Sequence, residues 1–325
     1  MENKKLKIAV VAHGRFHAFD LVRALIQRGN DVTLFTNYPK WAVEKFGIHR
    51  QNVKSFWMHG ILSRVLELFH KKMKFPFPEA WLHQMFGRWA AQQINRETWD
   101  VVHAWSGVCE ETQKYSRSMD NPRLKLLMRG SSHIRTQAKI LEEEERRIGL
   151  SIERPSPWIV AREEREYALV DHIIVLSEFA RKSFLDQGIS SDKLINLPLG
   201  VSIQSFRATL ESIKERQKRI LSSKTLRVLY VGAVSFRKGL WDLIKTTKLL
   251  DPADFDFRLV GPVSKEVKGF LRQFPSNVEI ISKQPQKKLP QWYSWGDVFV
   301  FPTLEDGYAV VLSQAAGPQR RRDQC

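Results

Sequence analysis

Two short stretches carry the groups that could do chemistry. The first is Asp297 to Gly317, DVFVFPTLEDGYAVVLSQAAG. Val298 to Phe301 is apolar without a break, which predicts a parallel strand buried on both faces. Pro302 has no N–H for a sheet ladder and ends it. Thr303 to Gly307 reads as an acidic loop, and Tyr308 to Ala316 as a helix with Val310, Val311 and Ala315 available to pack. Strand, loop and helix in that order place Glu305 and Asp306 at the carboxyl end of a parallel sheet, where open α/β folds hold their ligands. From Asp306 to Gln314 a continuous helix would rise roughly 12 Å, enough to reach between the two ends of a diphosphate-linked ligand.

The second stretch is Gly232 to Gly239, GAVSFRKG, set between an apolar strand Arg227–Val231 and a helix Leu240–Leu249. Arg237 and Lys238 stand just before the helix N-terminus, where cations oppose the helix dipole unless an anion binds between them. A guanidinium and an ammonium on a glycine-bounded loop suit a diphosphate. The alternative is a solvated helix start.

The elements that must position these groups alternate strand with helix. In the first half, Leu6–Ala12 is a strand, His13–His17 a loop, Ala18–Arg28 a helix stopped at Gly29, and Asp31–Thr36 a second strand. Only Gly14 occupies the loop where a dinucleotide fingerprint needs three glycines, which removes most support for an oxidoreductase. Trp99–Ala104 and Leu124–Met128 are further strands, and His133 lies in the loop after the second, beside Arg129 and Arg135. Pro157–Val170 is a helix, His172–Leu176 a strand, Ser177 an N-cap and Glu178–Gln187 a helix. Glu142 to Glu145, followed by Arg146 and Arg147, reads as a solvated helix face. Thr209–Lys224 is charged and poor in apolar residues, so it marks the boundary between domains 1–208 and 225–325. Phe257–Val260, Val278–Ile281 and a short helix Leu289–Ser294 complete the second half. The pattern predicts an α/β chain of two Rossmann-like domains.

The Asp297–Gly317 block resembles the paired-acid signature of glycosyltransferase family 4, the group 1 retaining enzymes of GT-B architecture. Aligned on Gly307–Tyr308, the first acid falls on Asp306 and the second on Gln314, where the family usually has Glu. The resemblance implies that Asp306 lies near the transferred sugar and Gln314 near the nucleotide ribose. It implies that Arg237 and Lys238, matching the family's RKG, hold the donor diphosphate, although Ala233 stands where a second arginine is usual. Gly14 would let the backbone approach that diphosphate. From Arg227 onward the LVGP and LPxxY wording also matches, and PLGV near Val201 resembles the segment closing the N-terminal domain, with Ser202 replacing the usual Asp. The family's active-site histidine position is Trp105 here, which leaves His133 as the candidate catalytic histidine. Asp254–Phe255–Asp256 spells the DxD that other sugar transferases use for a metal, but at a strand's amino end it reads as a turn. No cofactor and no obligatory metal are implied.

Composition sets the outer bounds. The 325 residues carry 52 Lys and Arg against 35 Asp and Glu, a net charge of +17, so the surface favours anions. Cys109 and Cys325 form neither a disulfide framework nor a metal pattern. No run reaches membrane-spanning length and the N-terminus is no secretion signal, which fits a cytoplasmic protein. Phe56 to Trp89 alternates Trp57, Phe69, Phe75, Phe77, Trp81, Phe86 and Trp89 with Arg64, Lys71, Lys72, Lys74 and Arg88. Two readings stand: a helix pair with aromatic core faces, or a surface that docks on anionic lipid at the inner face of the cell membrane. Nucleic-acid binding lacks every module signature.

After Gly317 the chain reads PQRRRDQC. The family pattern continues with further strands and helices, so the expectation is a frame interrupted within an incomplete C-terminal domain. The function implied is retaining transfer of a hexose from a nucleotide-diphosphate sugar to a hydroxyl of a lipid-linked or glycan acceptor. The alternative is a truncated, inactive relic that binds lipid or glycan.

Overall fold

The computed structural model describes residues 5–73, 77–114, 124–200, 203–222 and 225–317. Lys74, Phe75, Val201, Ser202 and the basic tail with Cys325 lie outside the described residues, as do the side chains of Lys71 and Lys72. Two compact units are formed: Met1–Ile134 with Pro155–Leu197, and Arg135–Arg154 with Pro198–Cys325.

The first unit is built on a seven-stranded parallel sheet. Its strands are β1 (Lys7–Ala12), β2 (Asp31–Thr36), β3 (Val53–Ser55), β4 (Val101–Trp105), β5 (Leu124–Met128), β6 (His172–Val175) and β7 (Leu194–Asn196). Their spatial order is β3-β2-β1-β4-β5-β6-β7. The chain therefore runs outward from β1 to β3 and then returns to the other side of β1, making a topological switch between β1 and β4. Alternation of polar and apolar residues is absent from β1 because both faces are covered: Ala9, Val10, Val11 and Ala12 are all fully buried. The expected cap at Ser177 is present, its hydroxyl accepting from the Ala180 N–H at 3.1 Å.

The second unit holds a four-stranded parallel sheet of β8 (Leu226–Val231), β9 (Phe255–Val260), β10 (Val278–Ile281) and β11 (Val298–Phe299), in the order β10-β9-β8-β11. Along β8, Val228 and Tyr230 pack into a cluster with Phe236, Leu240, Ile244 and Phe257, while Leu229 and Val231 pack into another with Phe206, Val260 and Tyr293. Period-two alternation thus feeds two cores from one strand. The first cluster also takes Leu141 and Ile152, which is why residues 135–154, early in the sequence, belong to this unit. Thr209–Lys224, expected to be a boundary, contains a helix Leu210–Ser222. It is tied to the second unit by Arg216, which donates to the carbonyls of Tyr293 and Ser294, both at 2.9 Å.

Three expectations need correction. β11 is an edge strand of two residues, with Val298 40% exposed, not a four-residue strand buried on both faces. Among the described residues it pairs only with β8, so no second ladder covers its outer side. Glu142–Arg147 is not simply solvated: Glu144 is buried, and Arg147 bridges it at 2.6 Å and reaches Asp242 at 2.8 Å. The segment 56–89 does fold as two helices, within Trp57–Met73 and Glu79–Ile94. Its aromatic residues divide, however: Phe86 is fully buried, whereas Trp57, Phe69, Phe77 and Trp81 face outward.

Gly239 gives a test of this packing. It sits at φ +79°, and a Cβ there would lie 1.9 Å from the Pro302 carbonyl oxygen. Gly29 has a similar φ of +86° but nothing within 4 Å. Gly29→Ala should cost about 1 kcal/mol from the left-handed backbone alone. Gly239→Ala should cost clearly more, read as a larger fall in the urea midpoint; equal losses would show that the Gly239–Pro302 approach is not tight.

Candidate functional site

The second unit's switch point lies between β8 and β11, because β9 and β10 extend to one side of β8 and β11 joins the other. The loops that follow these two strands carry the candidate donor-binding residues. After β8, Phe236–Lys238 forms a short 3-10 turn that Gly239 converts into the start of the helix Leu240–Leu249. After β11, Pro302 to Gly307 runs alongside, and the Leu304 N–H donates to the Arg237 carbonyl at 3.0 Å.

Side chains lace the two loops together. Lys238 Nζ lies 2.6 Å from Asp306 Oδ2. Arg237 Nη1 lies 3.2 Å from Glu305 Oε2 and 3.1 Å from the Glu305 carbonyl oxygen. Glu305 is only 1% exposed, and Gln137 from the helix Ile134–Ile148 donates to its Oε2 at 3.0 Å. Burial draws the Lys238 ammonium below its ordinary range, and neighbouring Arg237 pushes the same way against the pull of Asp306. The structure therefore brings together Arg237, Lys238, Glu305 and Asp306, with Arg237 the more exposed of the two cations. Gln314 is not brought to this group: it is buried, and its Oε1 accepts from the Tyr293 hydroxyl at 2.9 Å.

In the first unit the equivalent switch point lies between β1 and β4. Gly14 follows β1 at φ +154°, and the next residue but one, Phe16, adopts φ +37°, a conformation rarely taken by an aromatic side chain. Trp105, the last residue of β4, is buried between His17 and His103, each ring centroid 5.1 Å away. His133 is placed differently from the sequence expectation. It is 3% exposed and packs against Tyr167 and Phe184 at 5.0 and 4.9 Å, with its backbone N–H donating to Ser183 Oγ. His133 and Asp306 belong to different units.

Sequence reading missed two sets of residues. Gln137 lies 168 positions before its partner Glu305, and no local pattern marks it. Arg162 and Glu166 had a signal: in PWIVAREEREYALV they fall at core-face spacing with Ile159 and Tyr167. Both are fully buried. Arg162 pairs with Glu110, Glu111 and Glu166, while Glu166 accepts the backbone N–H groups of Gly107, Cys109 and Glu110. This network fixes the turn after β4. Burial raises the Cys109 thiol far above its ordinary range, leaving it an inert apolar group.

Two units, each an α/β layer on a parallel sheet with a switch point beside its first strand, make a fold of GT-B type. The model described as Glycosyltransferase Family 4 matches residues 15–205, and that described as Glycosyl transferases group 1 matches residues 225–317. The chain belongs to glycosyltransferase family 4. Its fold is similar to that of HepE (Alr3699) of Anabaena in complex with UDP-glucose, with TM-score 0.64, 13% identity, and coverage of 96% of this chain and 78% of that one. A sucrose-phosphate synthase of Thermosynechococcus elongatus gives 0.60 at 16% identity, covering 96% and 79%. A UDP-forming trehalose-phosphate synthase of Burkholderia xenovorans gives 0.62 at 13% identity, covering 97% and 82%. No curated protein matches the sequence.

The histidines around the first switch point predict an acid limb of stability. Burial pushes His13 and His103 down from 6.5 to about 3, with His83 and His17 respectively adding to the effect. The folded chain keeps these rings neutral while the unfolded chain protonates them. Stability is therefore complete above 6.5 and falls as pH drops from there towards 3, by about 1.4 kcal/mol per pH unit for each ring. His103→Leu should flatten the pH dependence of the urea midpoint by about one proton's worth; an unchanged slope would remove His103 from the account.

Proposed function

We propose that the chain transfers a hexose from a nucleotide-diphosphate sugar to a hydroxyl of a lipid-linked or glycan acceptor, with retention at the sugar's anomeric carbon and without an obligatory metal. The observation that carries this reading is the convergence of Arg237 and Lys238 with Glu305 and Asp306 at one switch point. The UDP-glucose held by the Anabaena relative supports a nucleotide sugar as donor.

Each side chain then has a task. When the bond between the sugar and the diphosphate oxygen breaks, negative charge grows on that oxygen, and preorganised cations lower the barrier most where charge develops. Arg237 and Lys238 are the cations. Asp306 keeps Lys238 paired at 2.6 Å, and its acceptor oxygens suit sugar hydroxyls. Glu305, buried and bonded by both Gln137 and Arg237, positions the guanidinium. Gly14, at the first unit's switch point, has the Phe16 ring packed where a Cβ would lie, so its own part in the reading is as a glycine-only turn. On the acceptor side, residues 56–89 supply a basic and aromatic surface suited to an anionic membrane, which fits a protein working at the cytoplasmic face. Among the described residues no helix is long and apolar enough to cross a membrane.

Isothermal titration with UDP-, GDP- and ADP-sugars tests the assignment. Arg237→Gln and Arg237→Ala/Lys238→Ala should each weaken binding of the preferred donor at least about tenfold, the loss expected for one or more charge-assisted hydrogen bonds. Affinity equal to the parent chain's, in variants with a native unfolding midpoint, would refute the site.

A further inference from the structure

The outer side of the helix pair is not used by the donor site, and it carries the largest run of exposed apolar side chains in the described chain. On helix Trp57–Met73, the residues Trp57, Met58, Ile61, Val65, Leu68 and Phe69 are between 40% and 61% exposed. At 100° per residue they fall within about 120° of arc, an apolar stripe unbroken from Trp57 to Phe69. Arg64 borders the stripe on the same helix and is itself exposed. A monomeric soluble protein rarely leaves a patch of this kind without a partner.

Next in sequence to the stripe, Phe56 joins Trp81, Gln84, Met85, Arg88, Trp89 and Gln92 of helix Glu79–Ile94 in lining a groove of about 300 Å³. Phe56 and Trp89 stack at 5.2 Å, so those walls are fixed against each other. Arg88 is exposed at the groove, and among the described residues no carboxylate pairs with it. A cation set among aromatic and thioether groups, with the carboxamides of Gln84 and Gln92 beside it, offers charge and hydrogen bonds for a phosphate and apolar walls for the methylenes attached to it.

The charge balance names the partner. Between Lys54 and Gln92 there are six Lys or Arg and two Glu, so the surface favours an anion. Aliphatic Ile61, Val65 and Leu68 offer nothing for a nucleobase to stack on, which argues against single-stranded nucleic acid. A 17-residue helix with an apolar stripe and a cationic margin suits the plane of a bilayer interface.

We propose that the groove of Phe56, Trp81, Met85, Arg88 and Trp89 seats a single anionic phospholipid, the Arg88 guanidinium on its phosphate and the first chain methylenes against the aromatic walls. Helix Trp57–Met73 lies in the interface beside it. The seat rests on the membrane-surface reading above and deepens it by naming the ligand.

The full chain is tested in two assays. Flotation uses phosphatidylcholine vesicles with and without phosphatidylglycerol; titration uses dihexanoyl phosphatidic acid below its micellar concentration, with inorganic phosphate as competitor. The parent chain should float only with the anionic vesicles and bind the short-chain lipid, and phosphate should not compete. Arg88→Gln and Trp81→Ala should weaken short-chain lipid binding at least about tenfold, while Ile61→Asp/Leu68→Asp should abolish flotation and spare it. All four positions face solvent, so these variants keep the fold. Short-chain binding indifferent to Arg88→Gln, or fully displaced by phosphate, overturns the seat while leaving the membrane surface standing. Arg88-dependent binding in a parent chain that never floats overturns the membrane surface and leaves the seat. If Ile61→Asp/Leu68→Asp instead turns a dimer into a monomer without changing flotation, the stripe is an interface between copies, and the in-plane placement fails.

Discussion

Glu305 sets the terms for the second unit. A carboxylate removed from water must be paired or protonated, and this one is answered by Arg237 from the loop after β8 and Gln137 from the helix Ile134–Ile148. Three chain segments distant in sequence are thereby held at one point. The neighbouring Lys238–Asp306 pair repeats the link between the two loops. Two cations near each other would repel, but two carboxylates balance them and fix their directions. Arg237 is thereby held in one direction, with little side-chain freedom left to lose.

The two sheets share a plan at different lengths. In each, the first strand is interior and the fourth joins on the side away from the second, so the switch point falls between first and fourth. The first unit places Gly14, buried Trp105 and a set of neutral imidazoles at that point; the second places charge there.

Much of this is legible in the sequence, because buried parallel strands write themselves as apolar runs and their loops as glycine and charge. The helix Leu240–Leu249 is readable to the residue, and the meeting of Lys238 with Asp306 follows from two loops at one sheet edge. What cannot be read depends on distance along the chain. Gln137 has no local signature, and β3 and β7, three residues each, are too short to show a period. The helix Ile134–Ile148 reads as a charged surface element because its apolar residues are few and face a core assembled from later sequence. His133 misleads for a related reason: a loop histidine in sequence turns out to be walled in by Tyr167 and Phe184, which come from two later helices.

The assignment of residues 135–154 to the second unit bears on how the chain is made. The polypeptide passes between units three times, at 134/135, 154/155 and 197/198. During synthesis Leu141 and Ile152 emerge long before Tyr230, Phe236 and Phe257, the side chains that bury them. That interval leaves an orphaned amphipathic helix on the nascent chain, a natural target for holdase chaperones. For the same reason, no single cut yields two complete units: one at 134/135 strips residues 155–197 from the first, one at 197/198 strips residues 135–154 from the second, and one at 154/155 breaks both.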